Sequence, residues 1–262
     1  MARKYVARDP RTGRRIGGRR RSKSPVEGIA ALSPSPGPWQ SIPVPDILPI
    51  ACGEVAKIEI LSDRGTWTLG RIDAIKALHK VLEKDAGEAY LALVEALEDD
   101  YPDVRIAGLK SLPSFALRRQ GILLQCLSDR LLDEEEAVRE GARDCLRKVA
   151  PLFPSGCEGI LRRELRDARK EHRDSAFDAL KKAAKQWPEV GCLHLDELIR
   201  EDEEDLRIRG SMILRTIASK GGAEAWDLIS WSLQDEEVRV SRNAARTLAV
   251  LADSEPRIAA IM

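Results

Sequence analysis

Three histidines, five cysteines and three acidic runs are the residues of this chain best suited to catalysis or metal binding. His79, His172 and His194 stand far apart in the sequence, and none is followed by a Glu with which it could share an ion. Cys52, Cys126, Cys145, Cys157 and Cys192 form no closely spaced pair of the kind that ligates zinc. An odd, scattered set of this kind reads as reduced thiols filling small apolar gaps, which places the protein in the cytoplasm, or in the nucleus of a eukaryote. The runs EDDYPD from Glu98, DEEE from Asp133 and EDEED from Glu201 would suit a hard cation if they stood alone. Each precedes an apolar-periodic segment, however, so they are expected at helix N-termini, where carboxylates cap free amides and meet the positive end of the dipole. No glycine-rich phosphate loop follows a strand, and no Ser-His-Asp or Cys-His set can be assembled from spacing. The expectation is a protein that is not an enzyme and carries no cofactor and no metal.

Charge is the second chemical signal. The chain is formally neutral, but residues 1–24 carry ten Lys or Arg against one Asp, and the remainder carries 33 against 42. A +9 arm therefore precedes a −9 body. The arm reads MARKYVARDPRTGRRIGGRRRSKS; its cations are Arg3, Lys4, Arg8, Arg11, Arg14, Arg15, Arg19, Arg20, Arg21 and Lys23. Arginine suits phosphate because its planar fork holds two oxygens at once, and interspersed glycine lets the backbone approach a groove. Such an arm is disordered alone and orders on a polyanion. In composition it is similar to the extensions with which ribosomal and other ribonucleoprotein components enter RNA. Its alternatives are a localisation signal in GRRRSK, or docking on acidic protein. Pro10, Gly13, Gly17 and Gly18 interrupt the amphipathic helix that a transit peptide needs.

Residues 25–50 hold seven of the fourteen prolines and no Lys or Arg. That composition predicts an extended, semi-rigid linker. Trp39, Ile42, Val44, Ile47 and Leu48 offer a second course, in which part of the segment lies on the chain beyond residue 50. No apolar run approaches the ~18–20 residues of a membrane span, so no membrane is expected as partner.

From residue 51 onward the sequence is periodic. Stepping by 34 residues from VREGARDCL at Val138 finds GRIDAIKAL at Gly70, VRIAGLKSL at Val104, HRDSAFDAL at His172, LRIRGSMIL at Leu206 and VSRNAARTL at Val240. The ninth position is Leu in all six copies (Leu78, Leu112, Leu146, Leu180, Leu214, Leu248), and the fifth is Ala or Gly. The second is Arg in five: Arg71, Arg105, Arg139, Arg173 and Arg207, with Ser241 in the sixth. Positions one, five, eight, nine and twelve share one helical face. A second amphipathic run precedes each block, as in EAYLALVEAL from Glu88, with Gly or Pro between the runs. A helix pair cannot bury its own stripe, so the pairs must stack.

An acid stands six residues before the Arg in four copies: Asp99, Asp133, Asp167 and Glu201. This Asp-x5-Arg spacing, followed by small-x-x-x-Leu, resembles the HEAT repeat over residues 51–262. The resemblance implies an all-α, right-handed α-solenoid of about six helix pairs, with acid and Arg forming a ladder between repeats. Because Gly65 stands at the first copy's acid position and Ser241 at the sixth copy's Arg position, the ladder is expected to fail at both ends. The chain then divides into a basic arm (1–24), a Pro-rich linker (25–50) and the solenoid (51–262).

The resemblance also implies that second helices line a concave surface. The outward positions there are Lys76, Lys80, Lys110, Arg143, Arg147, Lys148, Lys181, Lys182, Lys185, Arg215 and Arg246, a basic strip interrupted by Glu140, Asp144, Asp174 and Asp178. HEAT-like DNA glycosylases use such a surface, but their pocket residues have no counterparts to place here. A final candidate is Trp231. Its column on the first helices otherwise reads Glu95, Asp129, Arg163 and Glu197, so the aromatic marks either a partner contact or a place covered by the chain's own closing EPRIAAIM. Trp226 shares its column with Tyr90 and Leu124 and is expected to be buried. The expected work is binding: RNA in a ribonucleoprotein such as the ribosome through the arm, and a protein partner through the solenoid. The alternatives are a pure protein–protein adaptor and, more remotely, a DNA-binding repair-like protein.

Overall fold

The structure is a computed structural model and describes residues 34, 37–62, 65–116 and 120–254. The arm's ten cations lie outside the described residues, and so does the closing segment 255–262. In chain order the elements are α1 (Val44–Ala51), β1 (Lys57–Ser62), β2 (Gly65–Gly70), α2 (Arg71–Ala77), α3 (Ala86–Leu97), α4 (Pro102–Phe115), α5 (Gln120–Arg130), α6 (Glu136–Val149), α7 (Pro154–Leu165), α8 (Lys170–Gln186), α9 (Pro188–Leu198), α10 (Glu204–Ser211), α11 (Leu214–Ile217), α12 (Gly222–Leu233) and α13 (Val238–Ser254). The first helices are α1, α3, α5, α7, α9 and α12; α2, α4, α6, α8, the α10–α11 pair and α13 are the second helices. Each second helix packs on its own first helix and on the next second helix, and successive first helices also touch. This is a helical-repeat solenoid, as the period predicts.

The repeat columns explain the packing. Leu78, Leu112, Leu146, Leu180 and Leu214 are fully or almost fully buried, and so are the tiny residues Ala74, Gly108, Ala142, Ala176, Gly210 and Ala244. A Cβ on Gly108 would lie 3.1 Å from Leu97 Cδ2, and one on Gly210 would lie 3.0 Å from Leu198 Cβ. The small column thus lets each second helix settle onto its own first helix, at a spacing where any larger side chain overpacks.

The first copy departs from the period. The stretch where the repeat would place a helix is an antiparallel hairpin, with Ile58 opposite Leu69 and Ile60 opposite Trp67. Alternation of Ile58 and Ile60 with charged residues, then Thr-Trp-Thr-Leu, favours a pleated strand over a helical stripe. The missing first helix is supplied by α1, which packs on α2 and α3. The extended-spacer reading of residues 25–50 therefore does not hold over its second half. A 3-10 turn at Pro38–Ser41 and the helix α1 carry Trp39, Ile42, Ile47 and Ile50 into the core. Pro45 fits because it stands in the first turn of α1, where no amide bond is lost.

The acid–arginine pattern is a two-way fastening. In four copies one guanidinium Nη1 donates to two carbonyls of its own inter-helix turn: Arg105 to Asp99 and Asp100, Arg139 to Asp133 and Glu134, Arg173 to Asp167 and Ala168, Arg207 to Glu201 and Asp202, all at 2.6–3.0 Å. Asp99, Asp133 and Asp167, and Asp235 at the same position of the sixth copy, each accept a backbone amide two residues on, from Tyr101, Glu135, Arg169 and Glu237. Between copies the arginine reaches forward to the next acid: Arg71 to Asp99 at 2.7 Å, Arg105 to Asp133 at 2.8 Å and Arg207 to Asp235 at 3.2 Å. The expectation that the ladder fails at both ends is thus overturned. Forward pairing needs no acid in the first copy and no Arg in the sixth. The rungs fail in the middle instead: Arg139 turns to Glu136 of its own helix, Asp167 is taken by Arg169, and Arg173 lies 3.9 Å from Asp205.

Candidate functional site

The histidines occupy three different environments. His79 caps its own turn by a bond to the Lys76 carbonyl and meets the Trp39 ring edge-on. His172 is buried in the column where other copies carry Val or Leu, but its surroundings are polar. Its Nδ1 lies 2.6 Å from Glu164 Oε2, and Arg143 Nη1 lies 3.2 Å from its Nε2. Arginine can only donate, so Nε2 accepts and Nδ1 donates to the carboxylate. Glu164, Asp167 and His172 together present three potential metal-ligand atoms within 4.8 Å of one another. Both carboxylates are already committed to arginines, Glu164 to Arg163 and Asp167 to Arg169. The cluster therefore works as a polar clasp between α6, α7 and α8.

His194 is 1% exposed and neither ring nitrogen has a partner among the described residues. Burial holds its pKa below the ordinary value, against an opposing pull from Glu197. The folded protein thus favours the neutral ring, whereas the unfolded chain takes up a proton near pH ~6.5. Stability contributed by this difference is present above that pH and is lost as pH falls through it towards the lower folded value. His194→Leu is expected to be no less stable than wild type at pH 7.5 and to lose less melting temperature on acidification to pH 5. Parallel melting curves for the two proteins would contradict this.

The eleven cations of the expected strip do not share one fate. Lys76, Lys110 and Lys148, from α2, α4 and α6, line one groove of about 390 Å³ together with Asp73 and Asp144. The chain itself passes there, since Pro34, Gly37 and Trp39 line the same groove. Lys80 is occupied: it donates to the Gln40 carbonyl and stands 5.9 Å from the Trp39 ring, and its burial lowers its pKa. Arg143 corrects the strip. It does not point outward but is buried, bonded to Glu136 and His172. Its column holds Ile75 and Leu109, both buried, so the repeat itself carried the signal. Arg147 pairs with Asp144. Lys181 lies in a separate pocket beside Asp174, Asp178 and Phe177. Lys182, Lys185, Arg215 and Arg246 are exposed.

A second groove, of about 430 Å³, lies between the first helices α9 and α12. Leu193, Leu228 and Trp231 provide its apolar surface, and Trp231 is 54% exposed. Four carboxylates, Glu189, Asp196, Glu224 and Asp227, surround them. The Arg200 guanidinium stands 5.0 Å from the Trp231 ring and is held by Asp196 at 2.7 Å. Trp226, expected to be buried, is half-buried and donates to the Ala218 carbonyl. The suggested cover for Trp231, EPRIAAIM, lies outside the described residues.

No family model and no curated protein matches the chain. Among solved structures it is similar to the HEAT-like repeats protein of the archaeon Thermococcus onnurineus NA1, at 16% identity over 79% of this chain and 80% of that one, with a TM-score of 0.44. It is also similar to a computationally designed armadillo repeat protein for modular peptide recognition, at 17% identity over 79% of this chain and 99% of that one, with a TM-score of 0.40. A chain from the Kap95p–RanGDP structure matches at 14% identity over 70% of this chain and 29% of that one, with a TM-score of 0.43. These are likenesses of fold. No helix among the described residues is long and apolar enough to cross a membrane.

Proposed function

We propose that the protein is a non-catalytic binding scaffold in the cytoplasm, anchored to RNA in a ribonucleoprotein such as the ribosome by its basic arm, with the solenoid offered to a protein partner. The carrying observation is where the described fold begins. Pro34 and Gly37 enter it in the groove of Lys76, Lys110 and Lys148, a short step in sequence after the ten cations of residues 1–24. A polyanion held by the arm's arginine forks would find further cations at the point where the chain joins the solenoid.

The test is binding of a labelled single-stranded RNA at salt from about 50 to 200 mM. Contacts with six phosphates would give a slope of about −4 in log affinity against log salt. Deleting residues 1–24 is expected to remove at least ~100-fold of the affinity, and the triple exchange of Lys76, Lys110 and Lys148 to Glu should remove part of what the full chain retains. RNA affinity that ignores salt, or that survives deletion of the arm, would overturn the reading. Loss of an acidic protein partner on the same deletion, with no RNA binding at all, would hand the arm to the adaptor alternative.

A further inference from the structure

We infer that the groove between α9 and α12 is a docking site for a basic, aliphatic-rich peptide segment of a protein partner. This rests on the scaffold reading but not on its RNA half. The reason lies in what the equivalent junctions contain. At the α5–α7 junction Arg163 crosses to Ser128, donating to its hydroxyl at 2.8 Å. At the α7–α9 junction Arg162 crosses to Glu197 at 2.8 Å and Arg166 to Glu201 at 2.7 Å. Each such crossing joins residues 35 apart and spans two first helices with a hydrogen-bonded arginine. A groove of about 550 Å³ remains beside the α5–α7 crossing, but Gly121, Gly156, Gly159 and Arg163 are among its lining and no carboxylate or aromatic is. The same step at the α9–α12 junction joins Asp196 to Trp231.

Among the described residues no hydrogen bond joins Asp196 to Trp231, whose ring meets the Arg200 guanidinium instead. What sets this groove apart is its lining: an apolar floor with acids on both walls, Glu189 and Asp196 from α9, Glu224 and Asp227 from α12. Arg200 is spent on Asp196 and the Trp231 ring. Among the described residues no ion pair or side-chain hydrogen bond engages Glu189, Glu224 or Asp227. Their field extends into the groove, where Glu224 and Glu189 add to the burial that pushes the Cys192 thiol up to about 11.

Those features select the occupant. Like charges facing one another across a groove are relieved by a cationic ligand, which long-range attraction also steers into place. An exposed Trp beside a half-exposed Leu is the kind of anchor that supplies most of the affinity at protein interfaces, and its flat ring also accepts a cation on its free face. RNA is the wrong sign for this surface. A segment alternating Lys or Arg with Leu, Ile or Val meets both requirements.

The test uses the full-length protein and a short fluorescein-labelled peptide of alternating lysine and leucine, with glutamate–leucine and lysine–glycine peptides as controls. Only the first is expected to bind well. Trp231→Ala should weaken it by about 30-fold, and Glu224→Lys with Asp227→Lys by about tenfold with a shallower salt dependence. Tyr101→Ala and Glu98→Lys, an exposed aromatic and an acid far from the groove, should leave binding unchanged. All five substitutions fall on the surface, so melting temperature should hold, and RNA affinity should hold in every variant, which separates failure here from failure of the arm reading. Equal losses in the groove and control variants would reduce the effect to general attraction by an acidic body and overturn the proposal. Binding that appears only after removal of residues 255–262 would give the groove to the chain's own tail. A wild-type dimer that Trp231→Ala converts to monomer would give it to a second copy.

Discussion

Replacing Arg105 by alanine is expected to destabilise the protein by about 3–5 kcal/mol, equivalent to a fall in melting temperature of roughly 10 °C at ~2–4 °C per kcal/mol for a domain of this size. The guanidinium is 6% exposed and its partner Asp133 is 3% exposed. Alanine at this position leaves Asp133 buried with only Arg130 at 3.1 Å as a counter-charge, and strips the Asp99 and Asp100 carbonyls of their donor. The comparison that isolates the buried pair is Arg139→Ala. Arg139 serves two turn carbonyls in the same way, but its carboxylate partner is Glu136, which is 61% exposed and solvent-screened. Such a pair contributes at most ~1 kcal/mol. Arg139→Ala should therefore melt several degrees above Arg105→Ala. Equal melting temperatures would mean that forward pairing between copies adds nothing beyond the turn bonds that both arginines share.

The contrast between Arg105 and Arg139 also marks the limit of what spacing conveys. A 34-residue period locates every second helix, the buried Leu column and the small residues that let helices meet, because those depend on one face repeating in one register. It cannot tell whether an arginine bonds the acid of its own turn or that of the next copy. Both stand at fixed offsets in every repeat, and only the stacked structure shows the 28-residue reach from Arg105 to Asp133. The first copy is opaque for a different reason. The hairpin and α1 are short and proline-interrupted or strand-like, so the periodic signal that carries the rest of the chain is absent there. The burial of Arg143 is legible after all, since Ile75 and Leu109 mark its column as interior. The Trp231 groove lies in between. The column names the residue, while the missing arginine crossing beside it becomes visible only once α9 and α12 are seen face to face.

A double exchange at the clasp between the third and fourth copies tests whether its polarity stabilises the protein or only fixes its register. His172 and Glu164 are each 1% exposed; His172 stands in a column that reads Val or Leu in four other copies (Val104, Val138, Leu206, Val240), and Glu164 in a mixed column of Ala96, Arg130, Leu198 and Ser232. His172→Val alone removes the donor to Glu164 Oε2 and leaves a buried carboxylate with Arg163 as its remaining partner, at an expected cost of about 3 kcal/mol. Glu164→Leu alone leaves His172 Nδ1 buried and unmatched, costing about 2 kcal/mol. Together the two exchanges put two packed hydrophobic side chains in place of a buried polar pair, a replacement that is often neutral or stabilising. The double variant should melt at or above the wild-type temperature, with a coupling energy of at least ~2 kcal/mol relative to the sum of the single changes. Arg143 keeps Glu136 throughout, so it is not stranded by either change. The centre of the stack is where the arginine rungs are missing, and the clasp occupies the same junction. If the double variant is as unstable as the sum of the singles, the clasp is a structural replacement for those rungs; if it is stable, the junction holds by apolar packing and the polar triad serves to specify how copies three and four meet.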